Sequence, residues 1–447
     1  MTFTENLDDI VQRNGDGLLA RHDSWGRVRL REVATVLNGY PFESARFNKD
    51  EGFPLLRIRD ILNDRTEVRV TGSWDPRYKV NPGELVVGMD GDFNCALWQG
   101  PAALLNQRVC KITPHESIYL RKFLNWVLPG YLHAINEATS SVTVRHLSSR
   151  TIQEIPLPLP PLAEQRRIVE SIESYFTRLD AVAATLERVR MNLARYRRSV
   201  LRLSFEGDLT GTASGFPLRR LKEVADRIQY GYTASATETL EGPRFLRITD
   251  IQNGKVDWGS VPGCRIDDSA ENQFALVDGD LVFARTGATT GKSYLIRNPP
   301  KAVFASYLIR VRPSREVIPQ FLWYFFQSDR YWRQIHTLKQ GVGQPNVSGS
   351  RLAEVLLPVP PLSGQQRIIA EIERRFSVID EVTSEVRATL TRFAGIRRSI
   401  LKNAFEGRIA RQDPNDEPAS SLLERMKLKR LVVETPNHET ARLQPGA

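Results

Sequence analysis

The sequence predicts an α+β protein: two tandem α+β domains joined by two long antiparallel coiled-coil helices, with pseudo-twofold organisation. Three observations predict it. An unusual proline-rich phrase occurs twice, PLPPLAEQRRI from Pro158 and PVPPLSGQQRI from Pro358, 200 positions apart. Each phrase opens a stretch whose apolar residues keep heptad spacing. Each is preceded by a block of short alternating apolar runs and glycine-rich turns, the pattern of strands with a few helices.

A period of this length is too long for a solenoid unit and implies two copies of a whole domain plus a helix. In the helical half, Pro160, Pro161, Leu162, Gln165, Arg167, Ile168, Ile172, Glu173, Phe176, Asp180 and Val182 each recur 200 positions later. So do Arg197, Arg198, Ser199, Leu201, Phe205, Glu206 and Gly207. The first stripe runs through Ile168, Ile172, Tyr175, Leu179, Val182, Leu186, Val189, Leu193, Tyr196 and Val200, in steps of four and three. The second runs through Ile368, Ile372, Ile379, Val382, Val386, Phe393, Ile396 and Ile400; Arg375 and Thr389 interrupt it, with Phe376 and Leu390 beside them. A Pro-Pro pair cannot lie inside a helix, so each helix begins after one. Gly207 and Gly407 suit left-handed C-caps. About 40 residues at 1.5 Å each give a rod roughly 60 Å long.

The globular halves align more loosely. LREVATVLNGY resembles LKEVADRIQYGY, FPLLRIRDI resembles PRFLRITDI, and PGELVVGMDG resembles DGDLVFARTG. LNQRVCKITP corresponds to FASYLIRVRP, and the helix-like RKFLNWVL to PQFLWYFF. The implied organisation is a loose N-terminal extension (1–24), a first domain (25–155), a hinge and helix (156–208), a second domain (209–355) and a second hinge and helix (356–410). A polar tail (411–447) is expected to be poorly ordered, apart from a short helix around SSLLERMKLKR.

Length and charge narrow the function. The chain has 447 residues and a formal net charge of +10, a balance that favours a polyanionic partner such as nucleic acid. Cys95, Cys110 and Cys264 are scattered, which suits reduced thiols in a cytoplasmic protein and no zinc site. No secretory signal and no membrane-length apolar run is visible. GATTGKS (Gly287 to Ser293) is one residue short of a P-loop, and a Pro-Pro follows where a helix is needed. NPPK (Asn298 to Lys301) lacks the aromatic residue that would stack on a flipped base. The six histidines are dispersed, and no carboxylate spacing marks a catalytic pair. The sequence therefore offers no positive sign of catalysis and no metal site.

With its repeated Pro-Pro-Leu-x-x-Gln-x-Arg-Ile phrase and helices ending in FEG, the chain resembles the specificity subunit of type I restriction–modification systems, over roughly Trp25 to Ala410. The resemblance implies that the globular halves are target-recognition domains, each reading one half of a split DNA sequence. It implies that the helices hold them apart and dock two modification subunits. It also implies S-adenosylmethionine, ATP and Mg on partner subunits, none bound by this chain, and motor-nuclease restriction subunits that add translocation and cleavage. DNA presents the same groove face about every 34 Å, so a rigid spacer suits two half-sites. Two different domains imply an asymmetric target.

Base reading needs Arg, Lys, Asn or Gln on protruding elements. The candidates are Arg57, Arg59, Asn106, Gln107, Thr143 and Arg145 in the first domain, and Arg247, Arg285, Thr289, Lys292, Gln344 and Asn346 in the second. Gln165, Arg166, Arg167, Gln365, Gln366 and Arg367 flank the hinges and are candidates for the partner-subunit interface. Arg197, Arg198, Arg397 and Arg398 lie near the far helix ends and suit a partner subunit, the DNA backbone or a solvated face. Two other readings stay open: a nucleotide-dependent nucleic-acid enzyme using GATTGKS, and a coiled-coil adaptor without DNA contact.

Overall fold

The computed structural model describes residues 6–14, 17–139, 145–206, 216–237, 242–252, 254–338 and 346–425. The chain divides into two compact units, residues 1–183 with 390–447, and residues 184–389. The long helices are Leu162–Glu206 and Leu362–Phe405. Each unit thus contains one globular domain, the first half of the helix that follows it, and the last half of the other long helix. No helix among the described residues is long and apolar enough to cross a membrane.

Each domain carries the same antiparallel four-stranded sheet. In the first unit the spatial order is Ala34–Asn38, Val109–Pro114, Leu85–Gly88, Cys95–Leu97. In the second it is Ala225–Tyr230, Leu308–Pro313, Leu281–Ala284, Ser293–Leu295. Leu85–Gly88 and Leu281–Ala284 are buried at every position, which explains their unbroken apolar runs. A second sheet in each domain contains a parallel pair, Leu55 opposite Leu104 and Phe245 opposite Val303. A helix closes the core, Arg121–Ala138 in the first unit; the second divides it into Pro319–Phe325 and Asp329–Leu338.

The repeated proline-rich phrase begins as a strand. Pro156–Leu159 pairs antiparallel with Gly26–Arg29, and Leu356–Pro358 with Leu218–Arg220, so each domain closes on its own first strand. Prolines are tolerated because each ladder has only two strands. The following Pro-Pro ends the strand, and the helix starts at Leu162 or Leu362.

Within the first unit the helices run antiparallel: Asp180 meets Arg397, and the chain that follows the second helix meets Arg167, near the start of the first, through Asp416. The second unit repeats the former contact 200 positions on, with Arg197 bonded to Asp380. The guanidinium of Arg397 lies 5.0 Å from the Phe176 ring centroid, and that of Arg197 lies 3.8 Å from Phe376. This corrects the sequence-derived seam. Tyr175, Val182, Tyr196, Val382 and Ile396 are exposed, whereas Phe176 and Phe376 are buried. An arginine stacked on an aromatic ring, one residue along from the heptad positions Tyr196 and Ile396, takes part in the seam instead.

The FEG endings are anchors. Phe405 packs on Phe123 in the first unit, and Phe205 on Phe321 and Phe325 in the second. Gly407 adopts φ +70°. The Arg408 N–H bonds Asn403 O at 2.8 Å and the Gly407 N–H bonds Ala404 O at 3.2 Å, a Schellman cap. Gly207, the other expected cap, lies outside the described residues.

Both ends of the chain depart from expectation. The N-terminal segment forms a helix, Leu7–Arg13, capped by the Asn6 side chain, and Leu7, Ile10 and Val11 are buried in the first core. The described part of the tail packs on the first unit, with Leu422 and Leu423 against its core. Arg167 donates to Asp416 Oδ2 at 2.5 Å and to Arg411 O at 3.0 Å, while Ala419 is buried. Residues 419–425 are helical, within the region where a short helix was expected.

Candidate nucleic-acid interface

The four strand ends of the first sheet meet at one rim, because the register sets Cys110 opposite Asn38, Val109 opposite Gly88 and Val87 opposite Cys95. Three loops leave this rim: Gly39–Tyr40, residues 89–94 and residues 106–108. Backbone bonds tie them together. Met89 N–H donates to Arg108 O at 2.9 Å and Leu147 N–H to Met89 O at 2.7 Å. Asp90 bridges His146. The second unit builds the same rim. Arg285 N–H donates to Tyr307 O at 3.1 Å, Val347 N–H to Arg285 O at 2.9 Å, and Thr286 bridges Asn346.

Gly39 and Gly231 set the close approach of two rim loops. A Cβ there would lie 2.0 Å from Asn106 O and 2.2 Å from Ala305 O. Gly231→Ala is therefore expected to destabilise the second unit by about 1–3 kcal/mol through backbone displacement. Chemical denaturation checks this, with Gly395→Ala as the control because a Cβ there meets nothing within 4 Å.

Among the described residues, Asn106, Gln107, Arg145, Arg285, Thr289, Lys292 and Asn346 lie on the rim loops, and Arg57, Arg59 and Arg247 on single 3₁₀ turns. Arg57 and Arg247 are equivalent: each caps a single turn of 3₁₀ helix, its N–H bonded to Asp60 at 2.9 Å or Asp250 at 2.8 Å. Each guanidinium also leans on that aspartate, and in the second unit Nη2 bonds Asp250 Oδ1 at 2.7 Å. Arg59 and Gln107 are exposed. Asn106 is half-buried, and its side-chain oxygen accepts from Arg108 N–H at 3.3 Å. Arg145 is half-buried and donates to Asn136. Lys292 is exposed and Thr289 half-buried in a loop two residues longer than its counterpart. Thr143 and Gln344 lie outside the described residues.

Arg285 and Asn346 form a distinct pair. The Arg285 guanidinium lies 4.7 Å from the Tyr230 ring centroid, and the Tyr230 hydroxyl accepts from Gly349 N–H at 2.7 Å. Arg285 Nε and Asn346 Oδ1 are buried with no hydrogen-bond partner among the described residues. Buried polar atoms without partners are costly unless a ligand completes them. Met89 and His146 take the equivalent positions in the first unit, so the two rims present different chemistry.

Sequence reasoning missed three rim residues. Arg108 is paired with Asp90 at 3.0 Å, and His146 Nδ1 lies 2.6 Å from the same carboxylate. Tyr307 takes the place of Arg108 in the second unit and is 62% exposed. The signal was available, since aligning LNQRVCKITP with FASYLIRVRP puts Arg108 opposite Tyr307.

The hinge residues separate into two groups. Gln165 and Gln365 are fully buried, which corrects their assignment to a partner interface. Gln165 accepts from Leu120 N–H at 2.9 Å and donates to Ile118 O at 2.8 Å and Pro160 O at 3.0 Å. Gln365 accepts from Ile318 N–H at 2.8 Å and donates to Glu316 O at 2.8 Å and Pro360 O at 2.9 Å. Each amide clamps its domain to the helix start and has no exposed surface to offer a partner. Arg167 is engaged by the docked tail. Arg166, Gln366 and Arg367 are exposed.

Comparison with known proteins fits this geometry. The family model for the type I restriction modification DNA specificity domain matches residues 22–190 and 214–392. The chain is 32% identical to the EcoBI specificity subunit of Escherichia coli, over 96% of this chain and 97% of that one. It is 23% identical to the EcoKI specificity subunit of Escherichia coli K12, over 91% and 96% of the two chains. Its fold is similar to that of a chain from a structural study of type I R-M complex assembly and conformational transition, at TM-score 0.66 and 20% identity, over 87% of this chain and 99% of that one. It is similar to the HsdS subunit from Thermoanaerobacter tengcongensis at TM-score 0.56 and 19% identity, over 86% and 97%.

Proposed function

Because the chain belongs to the family of type I restriction–modification DNA specificity subunits, we propose that its two rims read the two halves of one split, asymmetric DNA target. The chain is the sequence-recognition subunit. The observation that carries the two-half reading is the pairing of one frame with two different rims: Met89, Arg108 and His146 in the first, Arg285, Tyr307 and Asn346 in the second. Arginine and asparagine are the side chains that read guanine and adenine edges bidentately, so the second rim carries base-reading chemistry. Arg59, Gln107 and Lys292 are exposed around the rims and supply further base or phosphate contacts.

The chain has no catalytic role in this reading. Two modification subunits dock on the exposed helix faces near Arg166, Gln366 and Arg367, and they hold S-adenosylmethionine. ATP and Mg belong to motor-nuclease partners. Support comes from the hinge geometry, which leaves these three side chains exposed while Gln165 and Gln365 are sealed.

The test is a methylation map. The chain is expressed with its modification subunit in a methylation-free host, and N6-methyladenine is sequenced genome-wide. A split, asymmetric motif that disappears when the chain is omitted is the expected result. An assembled complex that methylates without a motif would overturn the proposal.

A further inference from the structure

A cavity of about 680 Å³ opens in the second unit between the 287–293 loop and the helices that close the core. Trp323, Phe326 and Trp332 line it, as do Ile248 and Ile251. Gly291, at φ +102°, lets the loop pass close to Trp332, which a Cβ there would meet at 2.6 Å. Two polar atoms at this cavity, Ser293 Oγ and Gln327 Nε2, are buried with no hydrogen-bond partner among the described residues. Lys292 and Thr289 also line it.

The first unit has a cavity of about 810 Å³ at the same place, lined by Cys95, Trp126 and Pro129, but its polar character differs. Register and helix alignment put Cys95 where the second unit has Ser293, and Pro129 where it has Gln327. Both positions are thus less polar there. Leu18 of the N-terminal segment lies against that helix face, with its Cβ 3.0 Å from where a Gly130 Cβ would be. The second unit has no such described segment, and its corresponding surface carries an amide and a hydroxyl whose hydrogen bonds are unmade. Unfilled polar groups beside flat aromatic rings call for a planar ligand with hydrogen-bonding edges. A lysine on the same loop favours an anionic substituent.

We infer that this cavity binds a nucleobase bearing a phosphate, stacked against the tryptophans and hydrogen-bonded by Gln327 and Ser293. Two sources share that chemistry: a free nucleotide, and a nucleotide unstacked from DNA held at the neighbouring rim. The second source rests on the DNA-reading proposal; the first does not.

The experiment uses the assembled complex with its modification subunit, first shown to methylate its motif, so that failure of the pocket is separable from failure of DNA reading. Saturation-transfer NMR is run with AMP in the absence of DNA. In parallel, target duplexes carry 2-aminopurine at successive positions of the second half-site. Gln327→Leu is the probe variant, with its fold checked by thermal denaturation. Transfer to the AMP ring protons, with affinity about tenfold weaker in the variant, supports the free-nucleotide source. A fluorescence rise at one duplex position, lost in the variant, supports the DNA source. Silence in both arms overturns the inference, as do signals that Gln327→Leu leaves unchanged.

Discussion

Gln365→Leu lowers the stability of the second unit by about 3–5 kcal/mol, and Gln165→Leu does the same to the first. Leucine fills a similar volume but makes none of the three bonds. For Gln365 the groups stranded are Ile318 N–H, Glu316 O and Pro360 O. Each is a main-chain group near a fully buried side chain, where water does not readily replace the lost partner. The readouts are the denaturation midpoint and hydrogen exchange at the Ile318 amide, which should lose protection. Gln366→Leu, one residue along and exposed, should change stability by no more than about 0.5 kcal/mol. Equal effects for the neighbouring variants would refute the clamp.

Asp280→Ala destabilises the second unit by about 3–5 kcal/mol, whereas Glu84→Ala at the equivalent place in the first costs about 1–2. Both carboxylates precede the buried central strand of their sheet and pair with a cation on the neighbouring strand. Asp280 is fully buried, accepts two bonds from Arg312 at 2.7 and 2.8 Å, and lies 3.9 Å from Arg310. Arg310 is itself 1% exposed, and burial pulls its pKa down to about 10, so it remains charged at neutral pH. Removing Asp280 strands that charge. Arg310 retains only neutral acceptors, Ala275 O and Gln229 Oε1, each at 2.6 Å, and Gln273 O. Glu84 holds Lys111 at 3.1 Å, with the two side chains 22% and 13% exposed, so water partly replaces the loss. Comparing denaturation midpoints of the two variants checks the order.

Much of this architecture was legible because it is written twice. The columns that recur at 200 positions include Gln165, Phe176, Asp180, Arg197 and Phe205, and each makes the same kind of contact in its own unit. The partners were not legible. Heptad reasoning counts apolar residues, so it chose Tyr175 and Tyr196 and passed over the Arg197–Phe376 stack. A glutamine next to two arginines reads as a charged, solvated face; its three backbone partners come from distant segments that spacing alone does not reveal. The Leu7–Arg13 helix is too short to be stable by local propensity, and its order comes from burial against the first core. At the rims, the loops were identifiable by composition and turn chemistry, but the convergence of residues 89–91, 106–108 and 145–147 depends on sheet register.

One rim, one half-site is the central claim, and a single substitution tests it. Arg285→Ala removes the guanidinium stacked on Tyr230 while leaving the first rim untouched. The measurement is the N6-methyladenine motif written by the complex, compared between the unaltered chain and this variant. The account predicts relaxed or lost specificity at positions within one half of the motif, with the other half and the spacer unchanged. A motif identical to that of the unaltered chain, or one degraded equally in both halves by a folded variant, would contradict it.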